Sequence, residues 1–229
     1  GCGMVYTYTP KGSATVIRNN LPEAIAYESR GDFLIPRDIE VLPKIMEKID
    51  SIVVGPGAGR EKESIEFILK LLQSFPDKNF VVDADGLYAL SNDLSVLARS
   101  ERIIITPHIG EFARMNEGKT DLKSFIQFCV GNRTTAILKG ASSVLCDDKG
   151  KITINTTGNT GLAKAGSGDL LSGTIAGFAS QTGELTKSAI LAMYFMGRAA
   201  ELSIVSEPCN SASQIAESYS LVFKELEQK

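Results

Sequence analysis

A single histidine, His108, in 229 residues removes the His-rich metal clusters from consideration and leaves any Ser-His-Asp triad with one possible base. No G-x-S-x-G elbow accompanies it, so a nucleophilic hydrolase has no support. Cysteine is scarce too. Cys2, Cys129, Cys146 and Cys209 form no C-x-x-C pair and sit mostly among apolar neighbours, which predicts reduced, structural thiols and a cytoplasmic setting. No basic block occurs, and 24 basic against 27 acidic residues give a net charge of −3. Neither nucleic acid nor an anionic membrane surface is therefore an expected partner. No apolar run reaches the roughly 18 residues that span a bilayer, and Gly1-Cys2-Gly3 lacks both the basic and the apolar parts of a secretion signal.

What is present is material for a core. The chain is 43% hydrophobic and 22% charged, which fits one globular domain over residues 1–229 acting on a small soluble substrate. Short apolar, β-branched runs recur at Met4–Tyr8, Ser51–Val54, Phe80–Val82, Arg102–Ile105 and Thr135–Leu138, as buried parallel strands do. Between them Ile65, Leu69 and Leu72, and then Phe125, Phe128 and Cys129, recur at helical spacing. The alternation reads as α/β with a mostly parallel sheet. Ser143 to Cys146 and Ile152 to Asn155 flank the polar turn Asp147-Asp148-Lys149-Gly150 and predict a hairpin, an antiparallel edge added late. From Ser167 onward three apolar-periodic helices are expected, around Leu170–Ala179, Ser188–Ile204 and Ser213–Leu226. Gly173 and Gly177, one turn apart, are expected to let the first of them pack closely on a neighbour. The chain opens on glycine and enters a strand almost at once, which reads as if a preceding segment had been cut away.

The most informative stretch runs from Asn155 through Gly158-Asn159-Thr160-Gly161 to Gly166-Ser167-Gly168-Asp169 and enters the apolar helix at Leu170. The amides of Gly166 to Asp169 would open that helix, where unpaired N–H groups and the dipole favour an anion. Asp169 in the first turn places a carboxylate where a phosphoryl group would rest, ready to take a proton from a hydroxyl. Simple N-capping by Asp169 or Ser167 explains the same residue types equally well.

Other loops follow strands. Gly55-Pro56-Gly57-Ala58-Gly59 stands where α/β folds bind ligands, yet it matches neither G-x-G-x-x-G nor the P-loop and reads best as a tight turn. Asp83 and Asp85 offer paired carboxylates to a metal or a ribose, although capping of a helix from Gly86 to Leu90 is the expected use of Asp85. His108 and Glu111 sit three residues apart after another strand. Lys139 adds a cation suited to phosphate, although solvated surface lysines are commonplace. All these loops leave strand carboxyl ends and are expected to face one crevice.

In this order, Val54 to Gly59, Val82 to Leu87, Thr106 to Phe112, Leu138 to Ser143 and Gly158 to Asp169 resemble the NAD(P)H-hydrate dehydratases over nearly the whole chain. That resemblance implies a ribokinase-like three-layer sandwich and ADP- or ATP-dependent repair of NADHX and NADPHX, with Mg2+ assisting. The hydrate's hydroxyl is phosphorylated and phosphate then leaves. Carried over by position, Asp169 is the base and Gly166, Ser167 and Gly168 form the anion hole. Lys139, Gly140, Ala141, Ser142, Ser143 and Gly168 contact the nucleotide; Gly59, His108 and Asp169 contact the hydrate. Glu111, in the place of the superfamily's Asn-x-x-Glu glutamate, orders Mg2+ through water, and the Gly158–Ala163 loop looks like the ADP-using version. The resemblance also implies a homo-oligomer, commonly a tetramer.

Family members carry a further strand, a Gly-Ser loop and a helix before the segment resembling Gly1–Val5. Their absence predicts an exposed sheet edge and a chain that binds nucleotide better than it turns over hydrate. A small-molecule kinase of the same superfamily acting on an alcohol would use the same Asp169 and anion hole. A non-catalytic nucleotide-binding protein is the reading from another class.

Overall fold

The computed structural model describes residues 2–228. A six-stranded sheet in the order β3-β4-β5-β6-β7-β8 forms the centre. A separate pair, β1 (Val5–Thr9) and β2 (Ala24–Glu28), runs parallel and is joined by α1 (Ser13–Asn20). After α2 (Pro43–Met46), β3 (Ser51–Val54) leads to α3 (Lys62–Ser74), β4 (Asn79–Val82), α4 (Asp85–Leu90), β5 (Ile103–Ile105), α5 (Ile109–Met115), α6 (Leu122–Asn132) and β6 (Thr135–Leu138). These four strands are parallel, and β7 (Val144–Cys146) and β8 (Ile152–Ile154) complete the sheet antiparallel. Then come α7 (Ser167–Thr182), α8 (Leu185–Leu202), α9 (Ala212–Glu217) and α10 (Tyr219–Glu227).

Sheet order explains the layering. Parallel strands that follow one another in sequence and in space, joined by right-handed crossovers, place every intervening helix on the same face. Residues alternate across the strands accordingly. Phe80, Val82, Ile103, Ile105, Ala136 and Cys146 face one core with Phe67, Leu71, Leu87, Phe112 and Phe125 of α3 to α6. Val81, Ile104, Ile137 and Leu145 face the other, against Leu171 and Ile175 of α7 and Ala189 and Met193 of α8. The run Ile103-Ile104-Ile105 is fully buried because it serves both. Helices on both faces of a mostly parallel sheet with an antiparallel edge are the three-layer fold expected.

Several expectations are corrected. The strand at Met4–Tyr8 lies at Val5–Thr9 and pairs with β2, outside the central sheet, so it is half-exposed rather than buried. Its partner, Ala-Ile-Ala-Tyr-Glu, is too alanine-rich to announce a strand. Tyr8 nevertheless ties this pair to the main body. It packs against the core of the α3-to-α6 face, and burial together with a hydrogen bond to Asp38 pushes its phenol above the usual range. The third helix is broken at Ser218, whose hydroxyl turns back to the Gln214 carbonyl at 2.9 Å, a contact that bends helices. A Cβ at Gly173 or Gly177 would meet nothing within 4 Å, so neither serves close packing. All four cysteines are free, but only Cys129 and Cys146 are buried; Cys2 and Cys209 are exposed.

Candidate active site

The carboxyl ends of β3, β4, β5 and β6 gather their loops at one end of the sheet. After β3, Gly55 turns the chain at φ +121, and a Cβ there would lie 1.9 Å from the Asp83 carbonyl and 2.5 Å from the Gly86 nitrogen. The loops after β3 and β4 therefore pack backbone to backbone. Asp85 completes this joint and caps nothing: the residue before α4 is Ala84, at φ 49. The Asp85 carboxylate instead accepts from the Gly59 amide at 3.1 Å and from Arg60 Nε at 2.7 Å. Gly59, expected at the hydrate, is thus positioned by a residue expected to cap a helix.

Asp83 is consumed differently. Its buried carboxylate accepts from Lys139 Nζ at 2.7 Å, from the Ala84 amide at 2.9 Å and from Ser172 Oγ of α7 at 3.3 Å. Paired carboxylates open to a metal or ribose, one of the sequence readings, are not what forms. Asp83 links three elements, and Lys139 is a held cation rather than a solvated one.

His108 and Glu111 form a reciprocal cap on α5. The ring Nδ1 accepts from the amides of Gly110 at 3.0 Å and Glu111 at 3.3 Å, while the Glu111 carboxylate accepts from the His108 amide at 2.8 Å. An accepting Nδ1 places the proton of the neutral ring on Nε2, 3.5 Å from Glu111. The backbone carries the strands one step further, because the Lys139 amide donates to the Pro107 carbonyl at 2.8 Å and His108 bridges to Lys139. Lys139 Nζ then lies 3.8 Å from Glu111. Replacing His108 by Ala is expected to cost about 0.5–2 kcal/mol in urea unfolding, the worth of an N-cap, whereas His108→Asn keeps an accepting oxygen and most of that stability. Equal losses in the two variants would contradict the capping role.

The start of α7 closes the group. Its N-cap is Gly166 at φ 86, and no side chain caps the helix. Neither Asp169 nor Ser167 does the ordinary capping job that sequence left open. Ser167 is buried with its hydroxyl unpartnered, and Asp169 is exposed in the first turn, its carboxylate without a hydrogen bond or ion pair among the described residues. A Cβ on Gly168 would stand 3.3 Å from Asp83 Oδ2 and 3.5 Å from Lys139 Nζ, so α7 begins directly over the Lys139–Asp83 pair. The fold brings Lys139, Glu111, His108 and Gly166–Asp169 together. Gly140, Ala141 and Ser142 lie exposed on the rim beyond Lys139, and Gly59 stands in the loop after β3. A surface cavity of 390 Å³ between Pro76, Arg99, Arg102 and Arg133 adjoins the opposite ends of the strands and has no part here.

The electrostatics suit a polyphosphate carried with a cation. First-turn amides with no side-chain cap and a lysine attract phosphate, but Asp83 and Glu111 both stand beside that lysine. Among the described residues no three His, Cys, Asp or Glu side chains gather as a metal cage. Mg2+ commonly takes one or two carboxylates plus substrate phosphates and water, and Glu111 meets that requirement.

Sequence reading missed Ser172, the Asp83 contacts and Gly197 of α8, where a Cβ would lie 2.2 Å from Thr157 Oγ1 and 2.7 Å from its carbonyl carbon. A glycine inside an apolar helix was the one signal of that last contact.

A mostly parallel sheet between helix layers, with an uncapped helix start over its strand ends, makes a three-layer α/β protein, and its likeness to solved structures makes the fold ribokinase-like. A solved ribokinase-like superfamily protein from Enterococcus faecalis V583 matches with a TM-score of 0.84, covering 98% of this chain and 78% of that one at 22% identity. The chain belongs to the NAD(P)H-hydrate dehydratase family, whose model matches residues 1–219. It is 32% identical over 218 residues to the bifunctional NAD(P)H-hydrate repair enzyme Nnr of Moorella thermoacetica, covering 88% of this chain and 40% of that protein. It is 30% identical over 202 residues to the ATP-dependent (S)-NAD(P)H-hydrate dehydratase of Sorghum bicolor, covering 79% and 52%. The chain thus spans about two-fifths to half the length of these two relatives. The ADP/ATP-dependent NAD(P)H-hydrate dehydratase from Bacillus subtilis, co-crystallised with ATP/Mg2+, matches with a TM-score of 0.75 at 26% identity, covering 98% of this chain and 80% of that one. Among the described residues no helix is long and apolar enough to cross a membrane.

Proposed function

We propose that this chain dehydrates NADHX and NADPHX to NADH and NADPH at the expense of ADP or ATP. The observation that carries this reading is the start of α7. A glycine cap leaves its first amides without a side-chain partner, Gly168 stands against Lys139, and the exposed Asp169 follows in the first turn, in a chain of the NAD(P)H-hydrate dehydratase family. The Asp169 carboxylate takes the proton of the hydrate's hydroxyl, and that oxygen attacks the terminal phosphorus of the nucleotide, expelling AMP from ADP or ADP from ATP. Phosphate then leaves the ring carbon, a neighbouring carbon gives up a proton, and the ring double bond returns.

The anion hole of Gly166, Ser167 and Gly168 receives the transferred phosphoryl group at the positive end of α7. Lys139 holds the phosphates as a point charge, while Gly140, Ala141, Ser142, Ser143 and Gly168 line the nucleotide. His108 reaches the hydrate through Nε2, and Gly59 borders it. Glu111 would hold Mg2+ through water, and the ion would supply neutralising charge to the phosphates. We infer as well a single domain, a homo-oligomer and a cytoplasmic setting. Recovery of dihydronicotinamide absorbance near 340 nm, with NADPHX, Mg2+ and either ADP or ATP, tests the reading. Recovery establishes the reaction and names its phosphate donor. No recovery by a chain that still binds nucleotide overturns it, and phosphorylation of an alcohol instead would identify a kinase of the same fold.

A further inference from the structure

The loop that leads into α7 is strapped along α8. Asn155 Nδ2 donates to the Met193 carbonyl at 3.2 Å, Thr157 Oγ1 to the Tyr194 carbonyl at 3.3 Å and Asn159 Nδ2 to the Ala200 carbonyl at 3.0 Å. The close approach depends on Gly197, since any side chain there would strike the Thr157 backbone. Two carboxylates finish the attachment. Glu201 accepts from the Gly158 amide at 2.6 Å and is itself held by Arg198 at 2.7 Å. Glu207, beyond the end of α8, accepts from the Thr160 amide at 2.6 Å and also from the Thr160 hydroxyl. Leu162 packs against the hydrophobic cluster on α8, but the rest of the loop, mostly glycines and small polar residues, has little apolar surface to hold it, so these bonds set the path of the Gly158–Thr160 segment.

We propose that Glu207, with Glu201, is a positioning residue for nucleotide use: by clamping Thr160 and Gly158 these carboxylates fix the loop that presents the amides of Gly166–Asp169 to the phosphates. Neither touches the reacting atoms. The two bonds from Thr160 hold the Glu207 carboxyl below the ordinary carboxylate range, so the clamp is made with the ionised form, and a hydrogen bond to an ionised acceptor is the stronger kind. The Arg198–Glu201 pair rests on Glu225, which Arg198 Nε reaches at 2.7 Å, and this anchors the strap to α10 as well.

The proposal rests on the dehydratase reading only for its kinetic arm, because nucleotide binding is measured without hydrate. In calorimetric titration with ADP and with ATP, Glu207→Ala is expected to weaken binding about tenfold or more, while Glu207→Gln, whose amide oxygen still accepts from Thr160, stays within about threefold of the parent. Thr160→Val tests the clamp from its other side and should also weaken nucleotide binding. With turnover measured, Glu207→Ala raises KM for the nucleotide and leaves kcat and the KM for hydrate near those of the parent. Unchanged nucleotide binding in Glu207→Ala overturns the proposal. So does equal weakening in Glu207→Ala and Glu207→Gln with a matching fall in thermal midpoint, since that pattern belongs to a structural contact.

Discussion

Asp169→Asn is expected to lower turnover of NADPHX by about 10²–10⁴-fold, the usual contribution of a positioned general base, while nucleotide affinity stays within a few-fold. The two effects separate because Asp169 does no structural work that asparagine cannot do. Gly166 is the N-cap of α7, and the Asp169 carboxylate has no partner among the described residues. The loss in stability is limited to the attraction of one exposed carboxylate for the helix dipole, about 0.3–1 kcal/mol. The substitution keeps shape and removes the carboxylate proposed to accept the proton. Steady-state rates read beside a nucleotide titration check this. Parental turnover in the variant would remove Asp169 from the mechanism; loss of nucleotide binding in step with turnover would recast it as part of the anion site.

The second large effect concerns stability and the joint between the loops after β3 and β4. Gly55→Ala is expected to cost more than about 4 kcal/mol, in the range reserved for severe steric or strain defects. Its Cβ would lie 1.9 Å from the Asp83 carbonyl oxygen and 2.5 Å from the Gly86 nitrogen at φ +121, and neither neighbour is a side chain that can move aside. Gly57→Ala in the same loop is the control. It too has a positive φ, +65, but nothing lies within 4 Å of its Cβ, so the cost is the ordinary left-handed penalty of roughly 1–2 kcal/mol. Urea unfolding of both variants reads the difference. Equal losses would mean that backbone conformation, not close approach, governs the loop. Since Asp83 and Asp85 hang from this joint and hold Lys139 and Gly59 respectively, Gly55→Ala should also weaken nucleotide binding in whatever fraction remains folded.

Much of the fold was legible because the strands that matter are buried on both faces. Ile103-Ile104-Ile105 and Thr135–Leu138 announce themselves as continuous apolar runs, and the hairpin after Leu138 is marked by its polar turn. β2 was not legible, since Ala-Ile-Ala-Tyr-Glu carries neither strong β propensity nor clear alternation. The start of α7 was recognised from its glycines and Asp169. Whether Asp169 merely capped the helix was undecidable from spacing, because the same residue types serve both uses. Asp83 and Asp85 looked like a pair. Neighbours in an extended segment point to opposite sides with residues two apart on the same side, but the positive φ of Ala84 between them breaks that rule, and one carboxylate turns to Lys139 while the other turns to Gly59 and Arg60.

By itself the sequence determined that the chain would bury a core, alternate strand and helix into a mostly parallel sheet, and collect its glycine, aspartate, histidine and lysine loops at strand ends. Those properties follow from composition and local periodicity, which act within a few residues. Only the tertiary structure decided that Lys139 is held by Asp83 under the start of α7, that His108 spends Nδ1 on capping and keeps Nε2, and that Gly197 and two carboxylates from α8 and beyond strap the loop before α7 in place. Apart from the His108 cap, whose partners are two and three residues away, such partners lie tens of residues apart in the chain, and what selects them is the direction in which each backbone segment leaves the sheet.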